Sequence, residues 1–74
     1  MKWKATMNVL KVAEGGPSRD FLKWDAKELG LKIRFEHSPY VGHFAVTVQS
    51  RSKGPIKKFY KAQGWAEPWI EEVD

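Results

Sequence analysis

The chain contains no cysteine. That removes disulfides and thiolate metal sites together, two devices by which small folds gain stability, and it fits a reducing compartment. No apolar run approaches the ~20 residues of a membrane-spanning helix. Near the N-terminus, Lys4, Thr6 and Asn8 interrupt the apolar residues, so the segment lacks the continuous apolar stretch and cleavage site of a signal peptide. A cytoplasmic location without membrane association is the expectation. The chain also lacks a glycine-rich phosphate loop after a strand, a carboxylate pair in a catalytic context, and any motif around Ser18, Ser38, Ser50 or Ser52. It is expected not to be an enzyme and to need no cofactor. His37 and His43 bracket a turn beside Glu36, but a metal needs a third or fourth convergent ligand, so no metal is expected.

Aromatic side chains are abundant instead. Four Trp, four Phe and two Tyr make up 14% of the 74 residues, and each ring buries on the order of 150–250 Å². A chain of this length forms one domain, residues 1–74. It buries only roughly 60% of its unfolded surface, so its stability margin is thin. Association into a homodimer is a natural further source of burial.

Apolar periodicity gives the elements. Trp3, Ala5, Met7 and Val9 alternate with Lys4, Thr6 and Asn8, the period of a half-buried strand. Leu10 and Val12 fall on the other face, so the strand ends or bulges near residue 10. A loop follows at Glu14-Gly15-Gly16-Pro17. Ser18 suits an N-cap and Asp20 a first turn. Leu22, Ala26 and Leu29 share one helical face, which Phe21 and Trp24 widen, and Gly30 stops the helix. Leu31, Ile33 and Phe35, then Phe44, Val46 and Val48, predict a β-hairpin joined by the five residues 38–42. Ile56, Phe59 and Tyr60 predict a short helix with Pro55 at its start and Gly64 interrupting it. Pro68 then opens a last turn bearing Trp69, Ile70 and Val73. The expected fold is a two-layer α+β domain of order β-α-β-β-α, with helices on one face of a three-stranded, largely antiparallel sheet. Where the first strand joins that sheet is left open.

Charge is distributed unevenly. The net charge is +4, yet residues 37–66 hold five basic side chains and no acidic one, and the first 66 residues carry 13 positive against 5 negative groups. Lys57, Lys58 and Lys61 share one side of the second helix, opposite Ile56, Phe59 and Tyr60. Arg51 and Lys53 lie beside that helix, and Gly54 just before it leaves room for a phosphate at the helix start. On the first and second strands, alternation puts Lys2, Lys4, Lys32 and Arg34 on the face away from the core.

Two resemblances add to this. From Pro17 to Lys61 the order of helix, strand, strand and lysine-rich helix resembles the double-stranded RNA-binding domain. Ser38-Pro39 with His43-Phe44, and Lys57-Lys58 with Lys61, carry the likeness. A clear third strand and a glutamate in the usual place on the first helix are missing, Gly64-Trp65 stand where small alanines are expected next, and the N-terminal strand is additional. The resemblance implies shape-based binding of duplex RNA through 2′-hydroxyls and phosphates. The terminal Ile70-Glu71-Glu72-Val73-Asp74 is similar to the C-terminal pentapeptide of cytosolic Hsp70 chaperones, which implies recognition by TPR co-chaperones.

The leading expectation is a small regulatory nucleic-acid-binding module for DNA or RNA, with little sequence preference. Arg51, Lys53, Lys57, Lys58 and Lys61 would contact phosphates, and Lys32 and Arg34 would extend the footprint. The alternative is a protein-binding adaptor or inhibitor, for example one encoded by a phage or mobile element, with Tyr40, Tyr60, Trp65 and Trp69 as anchors.

Overall fold

A computed structural model of the chain describes residues 1–73. Strand β1 runs Lys2–Leu10, helix α1 Arg19–Glu28, strand β2 Lys32–His37, strand β3 His43–Ser50, helix α2 Lys53–Gln63 and strand β4 Glu71–Val73, with a 3₁₀ turn at Val12–Glu14. The four strands form one antiparallel sheet of order β2-β3-β1-β4. Both helices cover the same face, α2 against β3 and β1 and α1 against β2. The two-layer α+β architecture follows the expected element order, with one strand more.

Local chemistry accounts for the boundaries. The Ser18 hydroxyl accepts the Phe21 N–H at 3.2 Å, capping α1. Gly64 ends α2 in the left-handed region at φ 76°, where a side chain is disfavoured. The hairpin connection is residues 38–42, as expected. Its Ser38 is buried, donating to Asn8 Oδ1 at 2.8 Å and accepting the Tyr40 N–H at 3.2 Å, so the turn is anchored to β1. Gly16 passes so close to the end of β1 that a Cβ there would lie 1.8 Å from the Leu10 carbonyl oxygen.

The register settles the position left open. β1 lies inside the sheet, antiparallel to β3 with Ala5 opposite Val48 and Val9 opposite Phe44. β2 flanks β3 on the other side, with Ile33 opposite Val48. Ala5, Val9, Phe44, Val46 and Val48 thereby meet Leu22, Ala26, Ile56, Phe59 and Tyr60 from the helices in one core. Phe35 and Phe44 contact edge to face at 5.8 Å between ring centroids, with the Arg19 guanidinium over Phe44. The Gln63 amide donates to Asp25 at 2.6 Å and ties the helices together.

Four expectations need correction. Residues 71–73 form β4 and not a helical turn, because the outer edge of β1 offers unpaired backbone groups to an extended segment. Ile70 packs against the core beside them. Glu71–Val73, which the Hsp70-like string includes, is thus part of the sheet, while Asp74 lies outside the described residues. Gly54 is the second residue of α2 and does not precede it. Phe21 and Trp24 do not widen the core stripe of α1. Trp24 lies about 200° around the helix from Leu22 at 100° per residue, and the two rings are 55% and 62% exposed. Finally, the likeness to the double-stranded RNA-binding domain is limited to the order α1-β2-β3-α2. No strand separates β3 from α2, and β1, which precedes α1, lies beside β3.

Candidate nucleic-acid interface

Lys57, Lys58 and Lys61 project from the side of α2 opposite its buried residues Ile56, Phe59 and Tyr60. The helix holds no acidic residue along its length, so the three ammonium groups form an uninterrupted cationic ridge. Beside it runs an open groove of about 540 Å³, lined by the three lysines, Tyr60, Trp65 and Glu67 among others. Among the described residues, Glu67 is the single carboxylate lining this groove.

The ridge stands on an aromatic cluster. Trp65 is half-buried, edge to face with Tyr60 at 5.1 Å and with Phe59 at 5.7 Å. Its direction, undecided by the sequence, is therefore toward α2. Tyr60 is 4% exposed and its hydroxyl has no hydrogen-bond partner among the described residues. Burial pushes that phenol up to about 12, because the phenolate would be poorly solvated there. Tyr60 offers no ring to a partner, so it leaves the set of exposed anchors.

The remaining predicted cations lie elsewhere. Lys53 sits with its ammonium 4.3 Å from the centre of the Trp3 ring, a cation–π contact at the start of α2. Ser52 provides no side-chain cap to that helix start. Arg51 joins Lys2 and Lys32 around a groove of about 420 Å³ at the end of the sheet. Lys32 and Arg34 stand on the helix-free face, flanking Gln49 and Thr47 of β3. Arg34 is paired with Glu36 at 2.5 Å, both exposed. The residues expected to form one footprint thus divide into two. Lys57, Lys58 and Lys61 face out from the helical layer, while Arg51, Lys32 and Arg34 belong to the opposite side and end of the sheet.

The other aromatics are accessible. Trp69 is 81% exposed, and Tyr40 with Val41 forms an exposed turn tip. Sequence reasoning missed Phe21 and Trp24 as surface residues. The angular position of Trp24 relative to Leu22 was the available signal. His37 and His43 point to opposite faces of the hairpin, since His37 pairs with Phe44 and strand side chains alternate. The His43 Nδ1 donates to the Val41 carbonyl at 2.8 Å. Among the described residues no three His, Cys, Asp or Glu side chains are placed to hold a metal, and no helix is long and apolar enough to cross a membrane.

No protein-family model, curated protein or solved structure matches this chain. What defines it is its own geometry: a small α+β domain with one covered and one open sheet face, and a basic surface on each side.

Proposed function

We propose that the protein is a small nucleic-acid-binding module that grips the phosphate backbone of a duplex through Lys57, Lys58 and Lys61. The observation that carries this reading is the placement of three exposed lysines on one face of an acid-free helix, opposite buried Ile56, Phe59 and Tyr60. Seated cations lose little backbone freedom on binding, and each phosphate they neutralise releases counterions. The ridge itself carries no exposed ring, so it contacts the backbone without stacking on bases and reads little sequence. Three contacts give a slope of about −2.7 in log affinity against log salt, or roughly a 40-fold loss between about 50 and 200 mM salt. We take the role of such a module to be regulatory. The test is a mobility-shift or anisotropy titration with duplex DNA and duplex RNA at low salt. Absence of binding to either duplex would sink the reading.

A second reading, a protein-binding adaptor, is favoured by one observation: Phe21 and Trp24 lie exposed on the outer side of α1. Large exposed rings are the residues that dominate protein interfaces. Tyr40 at the hairpin tip adds to that surface inventory. A stoichiometric partner that co-purifies with the wild type and is lost from a Phe21→Ser, Trp24→Ser variant would establish it. Recovery of the same partner with both would contradict it.

A further inference from the structure

We infer that the helix-free face of the sheet is a second nucleic-acid site, one that takes single strands, with Trp69 stacking a base and Lys2, Lys4, Lys32 and Arg51 holding phosphates. The inference goes beyond the α2 ridge, lies on the other side of the sheet, and stands or falls separately.

The strand register assembles this face from distant parts of the chain. Lys4 lies opposite Gln49, which lies opposite Lys32, so one row across the sheet carries a cation on each side of an amide. The next row holds Thr6, Thr47 and Arg34, with the two threonine hydroxyls hydrogen-bonded at 3.1 Å. One step toward the sheet end, Lys2 and Arg51 converge with Lys32 around the groove of about 420 Å³, which opens past the sheet end to Leu29, Gly30 and Pro55 of the helical layer and which, among the described residues, no carboxylate lines. Between the cations the central strand β3 presents Ala45, Thr47 and Gln49 to this side, with His43 at the far end by the hairpin turn. The result is a shallow polar trough with positive walls.

Among the described strand residues, two carboxylates face the same side. Glu36 is occupied by Arg34, and Glu71 stands opposite Lys4 on the short edge strand. Five cations therefore outnumber two acids, and one of those acids is already paired.

Trp69 chooses between kinds of nucleic acid. It shares a hollow of about 140 Å³ with Lys4, Thr6 and Glu71, at the β4 margin of the open face, and it is 81% exposed. An indole held beside a cationic trough stacks an unpaired base and has nothing to stack on in a duplex, whose bases already stack on one another. From the Lys2 row to the Thr6 row is four residues along β1, about 13 Å at strand rise. A few nucleotides of single strand span that distance, with the base at one end and phosphates at the other.

The test is quenching of tryptophan fluorescence by the single strands dT10 and U10 at low salt, beside a duplex of equal length. Saturable quenching by the single strands is expected. Trp69→Ala should weaken single-strand binding roughly tenfold and remove most of the quench, the size expected of one stacked base, while Trp69→Phe should retain most of the affinity. Because this side chain is exposed, the variant keeps its fold. Lys32→Glu with Arg51→Glu should also weaken single-strand binding and leave duplex binding to the α2 ridge. No saturable quench, or unchanged affinity in Trp69→Ala, overturns the inference. If Lys57→Glu, Lys58→Glu, Lys61→Glu abolishes binding to both strands and duplex while Trp69→Ala changes nothing, all binding belongs to α2 and the sheet site is refuted. If duplex binding is absent but Trp69-dependent single-strand binding persists, only the α2 reading fails.

Discussion

The outer side of α2 and the open face of the sheet are both basic, but the chain builds them by different means. Lys57, Lys58 and Lys61 lie within five consecutive residues, and one helical turn is enough to bring them together. Lys2, Lys4, Lys32, Arg34 and Arg51 come from three separate segments, and only the pairing of β1 and β2 with β3 collects them. The helix ridge is convex and carries no exposed ring. The sheet face is shallow, has hydroxyls and an amide along its floor, and ends at an exposed indole. On the proposed reading, these two surfaces of like charge take different forms of one polymer. A rigid duplex cannot lie against both at once, because the sheet and the helical layer separate them.

The comparison is broken most severely by charge reversal. Lys57→Glu, Lys58→Glu, Lys61→Glu should lower duplex affinity by more than about a hundredfold at low salt, through lost contacts and added repulsion, while single-strand quenching at Trp69 persists. Anisotropy titrations of both ligands measure the two effects side by side.

A second effect concerns the seat of the ridge. Tyr60 holds its proton up to about 12 in the folded protein, against about 10 when unfolded. The folded state therefore binds more protons between those values. The stability this group contributes is complete below about pH 10 and is lost as pH rises toward 12, on the order of 2 kcal/mol in all. Tyr60→Phe removes that dependence and also removes a buried hydroxyl without a partner. Its melting temperature should equal or exceed that of the wild type at pH 7, and the gap should widen in favour of the variant above pH 10. Thermal melts across that range follow the sign directly.

The smaller effects separate the faces further. Glu36→Gln frees Arg34 from its ion pair and should strengthen single-strand binding a few-fold, with duplex binding unchanged. Stability should shift by no more than about 1 kcal/mol, because both partners are exposed. Smallest of all is the effect of Phe21→Ser with Trp24→Ser on folding. These rings are mostly exposed, so the denaturation midpoint should move by about 0.5 kcal/mol or less for each.

Much of this fold was legible in the sequence because local periods are strong where one face is buried. The alternation of Trp3 to Val9, the Ser18 cap and the apolar pair Leu22 and Ala26 each determine an element by themselves. The same is true of the five-residue connection before His43. β4 was not legible, since Glu71–Val73 is extended through pairing with β1 and has no distinctive pattern of its own. Trp24 and Phe21 were misread because apolar character was taken as burial, although the helix turns Trp24 away from Leu22. For the candidate site, the lysines of α2 could be grouped from spacing alone. Arg51, Lys32 and Arg34 could not be separated from them without knowing which face the helices cover. Trp69 could not be set beside Lys4 and Thr6 before β4 was known.

The central claim is that duplex binding rests on the three α2 lysines as phosphate contacts. The most direct measurement is the salt dependence of duplex DNA affinity for the wild type and for Lys58→Ala. The account predicts a slope of about −2.7 for the wild type and about −1.8 for the variant, one contact fewer. A wild-type slope near zero, or the same slope in both proteins, would contradict it.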